Sequence, residues 1–266
     1  MNEPDARTPP RLEPRIEGAA DGPTLFFVQG WPDDLTLWDG FVSVLRDRYR
    51  CVRINLPNYP GAVYGRWGFD HDAIVEGLAQ CIREVSPGRP LTLIAHDWGA
   101  VWGYRLHHRY PELLSRLVAL DIGPVVRPSP REAAFIMAYQ FWLAGAFIVG
   151  GGVGDWMTRR MARIARSPRQ GEAITAAGNY PYLYTWKEIF TGRIPNLSRY
   201  APEVPVLFAV GGRKPSRFHT QRWLDFVRSR PDNEVIEMAD ATHWVTLDPN
   251  LKDRVKAFLD RTNGAG

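Results

Sequence analysis

The sequence predicts an α/β fold in one domain, with a mostly parallel central sheet flanked by helices. Its 266 residues can bury a sizeable core. Apolar runs of strand length alternate with segments of helical spacing, which is typical of βα units in a parallel sheet. The alternation is interrupted once, between residues 124 and 202, by helical segments rich in Trp and Tyr. These observations together indicate a sheet with one helical insertion.

The elements follow one another in order along the chain. Short apolar runs with turn residues or helices beside them predict the strands 24–28, 51–56, 91–95, 116–122, 204–210 and 234–238. Apolar residues spaced three or four apart predict the helices 35–48, 70–85, 99–108, 216–228 and 251–261. We assign residues 21–123 and 203–266 to the core and residues 124–202 to a helical cap. Residues 1–20, which are polar and rich in proline, are expected to form a flexible N-terminal tail.

Composition excludes several classes of function. The net charge of +4 comes from Lys and Arg spread along the chain rather than from a basic stripe, so no nucleic-acid partner is expected. Two cysteines make no disulfide framework, and no His or Cys cluster has metal-ligand spacing. We therefore expect neither a metal nor another cofactor. The N-terminus lacks the apolar core of a signal peptide, which favours a cytoplasmic protein.

Residues 133–154 carry no charge, a length that invites comparison with a membrane span. Gln140 lies inside this stretch, and four glycines between residues 150 and 154 interrupt its end. The pattern therefore favours a buried helix or a lid helix over a membrane span. Contact with a membrane surface is disfavoured as well, while a homodimer contact stays open.

The segment Ala95-His96-Asp97-Trp98-Gly99 follows an apolar strand and precedes a helix. In that context, small residues on both sides of a central residue allow a tight turn that exposes the central side chain. The start of the helix favours negative charge there, and an ionised carboxylate is a nucleophile without help from a base. Asp97 is therefore a candidate covalent nucleophile, with a plain helix-capping role as the alternative.

Two further loops follow strands of the same sheet. The turn Gln29-Gly30-Trp31-Pro32 can direct the backbone N–H of Trp31, together with that of Trp98, at a developing oxyanion. The loop after the last strand carries His243, which is placed for general-base work, and His219 stays a second candidate. Carboxyl ends of parallel strands meet at one edge, so the order oxyanion turn, nucleophile, base is more specific than any one feature.

Four motifs resemble those of the α/β-hydrolase superfamily, in the branch of epoxide hydrolases and haloalkane dehalogenases: QGWP at Gln29, HDWGA at His96, ALDIG at Ala119 and ATHW at Ala241. The resemblance runs from Thr24 to the last helix. It implies the α/β-hydrolase fold with a helical cap inserted after ALDIG. It also implies Asp97 as nucleophile, His243 as base, and the N–H groups of Trp31 and Trp98 as the oxyanion hole.

The chain departs from the family pattern at functional positions. Gln29 stands where the family has His, and Lys214 stands where the family often has its acid. Few residues precede the first apolar run, so the N-terminal strand pair of the fold looks shortened. Some members carry the acid after the strand that follows the nucleophile helix, and here that residue is Asp121. The resemblance therefore implies Asp121 as the third catalytic residue, with Asp240 as the alternative.

Members that open epoxides protonate the leaving oxygen with cap tyrosines, whose phenol is intact near neutral pH. No motif selects two of the candidates in the cap. We assign five residues to substrate binding, with aromatic packing as the alternative for the aromatic ones: Gln29, Tyr139, Tyr182, Tyr184 and Trp186. An aromatic cap indicates a small apolar substrate.

The leading prediction is an epoxide hydrolase that forms a covalent ester on Asp97. A haloalkane or haloacid dehalogenase is the alternative among enzymes, because the indoles of Trp31 and Trp98 can bind halide. A non-catalytic ligand-binding protein on this fold is the alternative from another class. Gln29 and Lys214 motivate that reading, since a fold does not fix a function.

Overall fold

The structure is a computed structural model that describes residues 5–62 and 64–262. Within these residues, one sheet has the strand order β1-β3-β2-β4-β5-β6-β7. Its strands are β1 (Pro14–Gly18), β2 (Thr24–Val28), β3 (Arg50–Ile54), β4 (Leu91–His96), β5 (Leu114–Leu120), β6 (Val206–Gly211) and β7 (Glu234–Met238). The helices are α1 (Asp39–Leu45), α2 (His71–Val85), α3 (Trp98–Arg109), α4 (Pro130–Val149), α5 (Gly151–Ile164), α6 (Tyr180–Thr191), α7 (Gln221–Arg228) and α8 (Leu251–Thr262).

The predicted parallel sheet is confirmed from β2 to β7, whose neighbouring strands all pair in parallel. β2 and β7 have the predicted bounds, and the other predicted strands end within two residues of the observed ends. β4 is buried along its whole length, as a strand covered by helices on both faces should be. Leu25 and Phe27 of β2 face one apolar core, and Phe26 and Val28 face the other.

The N-terminal segment contains a strand that the sequence did not predict. Residues 14–18 form β1, which pairs antiparallel with β3 along the edge of the sheet. The expectation of a flexible tail over residues 1–20 is therefore wrong for this segment, and residues 1–4 lie outside the described part of the chain. One edge of β1 pairs with β3, and all five of its residues are exposed or half-exposed, so the segment needs no apolar run. An ion pair from Glu17 to the buried Arg53 helps to hold it.

Helices α4, α5 and α6 lie between β5 and β6, in the segment predicted as the cap. Ser129 and Glu132 form a capping box that begins α4, and Gly150, at φ 63°, separates α4 from α5. The glycines that follow begin α5 instead of ending the helical segment. α4 is long and apolar enough to cross a membrane by length and composition, and 22% of that window is buried. Most of α4 is therefore exposed, so it is not the buried helix that the sequence favoured as one of two possibilities, and the cytoplasmic location stays a prediction.

The cap lies over the edge of the sheet where the parallel strands end. The indole nitrogen of Trp31, after β2, donates a 2.8 Å hydrogen bond to the side-chain oxygen of Asn179 in the cap. The ring of Trp98, at the start of α3, lies 5.3 Å from the ring of Tyr182 on α6. The segments that follow β2 and β4 therefore meet the cap at one place.

Candidate active site

The turn between β4 and α3 holds Asp97 in a strained conformation. Its φ of 54° and ψ of −123° lie outside the regions that most residues with a Cβ adopt. A Cβ on Gly99 would overlap the carbonyl of Val28, and a Cβ on Gly30 would overlap the carboxylate of Asp97. The turn after β2 and the turn after β4 therefore pack too closely for side chains at these two glycines.

Two backbone N–H groups converge on the carboxylate of Asp97. The nitrogen of Trp31 donates to Oδ2 of Asp97 at 2.7 Å. The backbone N–H of Trp98 also donates to this carboxylate and favours its charged form. Because both donors belong to the backbone of tight turns, they are fixed before any ligand arrives. This is the pair of donors that the sequence predicted for an oxyanion.

His243 lies between two carboxylates. Its Nε2 is 3.4 Å from Oδ1 of Asp97, and its Nδ1 is 2.7 Å from Oδ2 of Asp121. His96 holds the backbone of the same loop, because its Nε2 donates to the carbonyl of His243 at 3.0 Å. The structure thus brings Asp97, His243 and Asp121 together in one line, as the resemblance implied. Asp240, the alternative acid, is exposed.

Asp121 is fully buried and has three hydrogen-bond donors. Besides His243, Oδ1 accepts from the backbone nitrogen of Gly211 at 3.0 Å and from Nζ of Lys214. Lys214 stands where the family often has its acid, so this chain has a cation beside Asp121 in place of a second carboxylate. The buried charge of Asp121 is thereby paired on both oxygens, which a buried carboxylate requires.

The three titratable groups favour each other's charged forms. Burial opposes the charge of Asp97, but the hydrogen bond and charge of His243 hold its pKa below the ordinary value. Burial likewise opposes charge on His243, yet Asp121 and Asp97 raise its pKa well above the usual range. Despite burial, His243 and Lys214 lower the pKa of Asp121 to about 2. The resting site therefore holds an imidazolium between two carboxylates.

Tyr139 on α4 and Tyr182 on α6 are the cap tyrosines that face Asp97. Their rings lie 6.1 Å apart, edge to face, and Tyr182 also packs 5.9 Å from the ring of Trp31. The pKa of both phenols is raised, first by burial and also by the negative charge of Asp97. Both hydroxyls therefore keep their protons at neutral pH. Among the cap tyrosines proposed from the sequence, Tyr139 and Tyr182 are the two whose pKa the charge of Asp97 affects, and their catalytic role stays a prediction.

The other predicted substrate-binding residues do not share this position. The hydroxyl of Tyr184 donates to the carbonyl of Trp67 at 3.2 Å, and the ring of Trp186 stacks on Phe141 at 4.1 Å. The hydroxyl of Tyr184 is therefore engaged by the core segment that contains Trp67, and Trp186, one turn after Tyr182 on α6, packs against α4. Gln29 is fully buried, and both polar atoms of its amide lack a hydrogen-bond partner within the described residues.

Sequence reasoning missed Asp33, which follows Pro32 in the turn after β2. It is 2% exposed, and its Oδ2 accepts from the indole nitrogen of Trp244 at 2.8 Å. Burial, with the nearby charge of Asp97, raises the pKa of Asp33 to about 7. The only signal in the sequence was an acid beside the oxyanion turn.

The other histidines are held outside the catalytic contacts. His71 and His107 are buried, and His71 accepts a 2.9 Å hydrogen bond from the indole of Trp102. His219 packs against Phe208 of β6, and burial with the charge of Lys214 lowers its pKa to about 4. Among residues 5–62 and 64–262, no group of three His, Cys, Asp or Glu side chains is arranged to hold a metal ion.

Comparison with curated proteins gives two kinds of similarity. The chain is 26% identical over 299 aligned positions to the cis-3-alkyl-4-alkyloxetan-2-one decarboxylase of Xanthomonas campestris, and the match covers 96% of each protein. It is 41% identical over 100 residues to the probable oxidoreductase EphD of Mycobacterium tuberculosis. That second match covers 33% of this chain and only 16% of the mycobacterial protein, so it concerns a small part of that protein.

Solved structures and a family model agree on the fold. An epoxide hydrolase from Bacillus megaterium matches with a TM-score of 0.68 at 21% identity, over 95% of both chains. A haloalkane dehalogenase variant from Bradyrhizobium elkanii matches with a TM-score of 0.69 at 16% identity, over 96% of both chains. The model described as the alpha/beta hydrolase family matches residues 25–252, most of the chain. The protein is therefore an enzyme of the alpha/beta hydrolase family.

Proposed function

We propose that this enzyme is an epoxide hydrolase in which Asp97 is the covalent nucleophile. The observation that carries the proposal is the pair Tyr139 and Tyr182. These are two protonated phenols on the cap that face a carboxylate whose other side is held by His243. The opening of an epoxide ring needs a nucleophile on one side of the ring, here the carboxylate, and a proton donor on the side of the ring oxygen, here a phenol.

The first step forms an ester. An oxygen of Asp97 attacks one ring carbon, the bond from that carbon to the ring oxygen breaks, and a phenol of Tyr139 or Tyr182 gives its proton to the leaving oxygen. The enzyme then carries a hydroxyalkyl ester on Asp97 and a tyrosinate in the cap. The charge of Asp97 is lost in this step, because its attacking oxygen becomes part of a neutral ester.

The loss of that charge prepares the second step. Two carboxylates raise the pKa of His243 in the resting enzyme, and alkylation removes one of them, so the pKa of His243 falls. The imidazolium passes its proton to the cap tyrosinate through solvent, which restores the phenol and leaves His243 neutral. Neutral His243 then takes a proton from water as the water attacks the carbonyl carbon of the ester. The N–H groups of Trp31 and Trp98 stabilise the resulting oxyanion. Release of the diol restores the charge of Asp97, and the proton from water leaves His243 as the imidazolium of the resting enzyme.

The mass of the intact His243→Gln variant tests this proposal. Without a base, the ester on Asp97 should accumulate when the variant is incubated with a panel of terminal and internal epoxides. We expect a mass increase equal to that of one epoxide, located by peptide mapping on Asp97. The variant that also carries Asp97→Asn is the control and should gain no mass. A folded His243→Gln protein that stays unmodified by every epoxide would overturn the assignment.

An oxygen label tests the position of water attack. In water enriched in oxygen-18, with enzyme in excess over epoxide, the diol of a single turnover should contain no heavy oxygen, because its new oxygen comes from Asp97. The label should instead appear in the peptide that contains Asp97. Heavy oxygen in the diol at the first turnover would mean that water attacks the epoxide carbon directly.

The full-length similarity to an oxetan-2-one decarboxylase favours a second candidate. Asp97 would attack the saturated ring carbon that is bonded to the ring oxygen. The bond between that carbon and the ring oxygen breaks, and the oxygen leaves as part of a carboxylate. Loss of CO₂ then forms the alkene and expels Asp97. A carboxylate leaving group needs no proton, so this reaction should survive Tyr139→Phe and Tyr182→Phe. Release of CO₂ from 3,4-dialkyloxetan-2-ones by the parent enzyme, with no diol from epoxides, would favour it.

The dehalogenase alternative has weaker support from the site. A halide needs N–H donors that are not already engaged, and the indole nitrogen of Trp31 donates to Asn179 at 2.8 Å. The sequence analysis named the indoles of Trp31 and Trp98 as donors to a halide, and only that of Trp98 then remains. If the enzyme releases halide from bromoalkanes faster than it forms diols from epoxides, the dehalogenase becomes the better-supported function.

A further inference from the structure

The outer surface of the cap carries a continuous group of exposed apolar side chains. On α4, Phe141 and Trp142 are 49% and 37% exposed, and on α5 Trp156 is 56% exposed. Ring contacts join the helices, from Trp156 to Trp142 at 6.5 Å, and from Phe141 through Trp186 to Phe190 of α6. We call this surface, with Ile148 and Ile164, the cap face.

The position of α4 explains why the cap face is apolar. Its residues Phe141, Trp142, Ile148 and Val149 follow a spacing of seven, so they lie on one side of the helix and point away from the site. No charged residue interrupts the chain from 133 to 153. Large contiguous apolar patches are uncommon on proteins that have no partner, because water contact there is unfavourable. The cap face is therefore suited to binding.

Positive charge surrounds the cap face. Residues 124–202 contain ten Lys and Arg against four Asp and Glu, an excess of six, whereas the whole chain has an excess of four. On α5, Arg160 stands one turn from both Trp156 and Ile164, and Arg163 lies on the same side of the helix, two turns after Trp156. Within the described residues, neither of these arginines forms an ion pair. Long arginine stems can lie along apolar surface while their charges reach outward.

We propose that the cap face docks on the surface of a membrane that contains anionic lipid. Exposed Trp, Phe and Ile side chains would enter the boundary between headgroups and acyl chains, and Arg160 and Arg163 would contact lipid phosphates. A second copy of this chain fits less well. A symmetric dimer would place the same basic surface against itself, and like charges repel. The sequence alone disfavoured membrane contact because it did not reveal that the apolar side of this helix faces outward.

Sedimentation with vesicles tests the proposal on the whole protein. We expect the enzyme to pellet with vesicles of phosphatidylcholine and phosphatidylglycerol and to bind pure phosphatidylcholine at least tenfold more weakly. Binding should fall as salt is raised, because salt screens charges at a surface. Equal binding to both kinds of vesicle, or binding to neither, would overturn the proposal.

Matched variants separate the cap face from general charge. Arg160→Gln with Arg163→Gln should weaken binding to anionic vesicles about thirtyfold, since each basic residue near such a surface contributes about 1 kcal/mol. Arg46→Gln with Arg89→Gln removes the same charge from exposed positions on the core and should leave binding unchanged.

A further variant tests the apolar part of the cap face and the alternative that a second copy of this chain binds there. Trp156→Ser with Ile164→Ser should abolish pelleting while the melting temperature and the hydrolase activity stay those of the parent. Sedimentation equilibrium without lipid should show a monomer. A dimer that this same double change dissociates would overturn the proposal in favour of a second copy as the partner.

Discussion

Asp121 orients His243 through a contact of 2.7 Å, and this contact gives the first prediction. Asp121→Asn removes the charge that steadies the imidazolium and lets the ring adopt the wrong tautomer. By analogy with triads in other hydrolases, we expect kcat to fall on the order of 10³- to 10⁴-fold. Asp240→Asn is the control and should keep full activity because Asp240 is exposed. If a steady-state assay shows instead that Asp240→Asn loses activity and Asp121→Asn keeps it, then Asp240 is the catalytic acid.

Lys214 should tune the base through Asp121. Lys214→Met removes the cation that shares Asp121 with His243, so Asp121 stabilises the imidazolium more strongly and the pKa of His243 rises further. The acidic limb of the profile of kcat against pH should then move to higher pH. Lys214→Arg keeps the charge and should keep the profile of the parent. An unchanged limb in the Met variant would show that Lys214 only fills space.

Several site residues could be predicted from single positions because their chemistry depends on local sequence. The turn around Asp97 needs small neighbours, and His243 follows the last strand, so both have signals in the chain. The roles of His96 and Asp33 could not be predicted, because they come from contacts with His243 and Trp244, more than a hundred residues away. The ion pair of Lys214 with Asp121 could not be predicted either, because it depends on the pairing of β5 with β6.

At the scale of elements, α4 and α6 bring two phenols over Asp97, and this placement can be tested. Tyr139→Phe or Tyr182→Phe should slow ester formation from epoxides about 10²-fold each, the lower range for loss of a proton donor. Tyr184→Phe is the control, since its hydroxyl donates to Trp67. Rapid-quench formation of the ester is the measurement. Equal rates in all three variants would remove the tyrosines from the mechanism.

The elements with strong periodicity were predictable, and those that depend on neighbours were not. β2 and β7 are short apolar runs with clear ends, and their bounds matched. β1 has a mostly exposed burial pattern, because it is an edge strand held by backbone pairing and by Glu17 with Arg53. The orientation of α4 could not be inferred, since a helix that is apolar on all sides gives no signal for which side is buried.

At the scale of the whole molecule, folding encloses acids that the unfolded chain leaves in water. Asp33 has a pKa raised to about 7 by burial, against an ordinary value of 3.8. Below pH 4 it is protonated in both states and has no effect on stability. As pH rises toward 7 and beyond, the unfolded state releases the proton first, so the folded state loses stability by about 2–4 kcal/mol from this group.

Asp33→Asn should therefore change the pH dependence of stability in a defined direction. Asn keeps an oxygen that can accept from Trp244 but carries no charge, so it lacks the loss of stability that Asp33 causes as pH rises from about 4 to about 7. We expect the free energy of unfolding of the variant, relative to that of the parent, to increase from pH 5 to pH 8. Urea unfolding at both pH values measures this difference, and Asp47→Asn, at an exposed position, should leave it flat. A constant difference for Asp33→Asn would mean that Asp33 ionises as freely in the folded protein as in water.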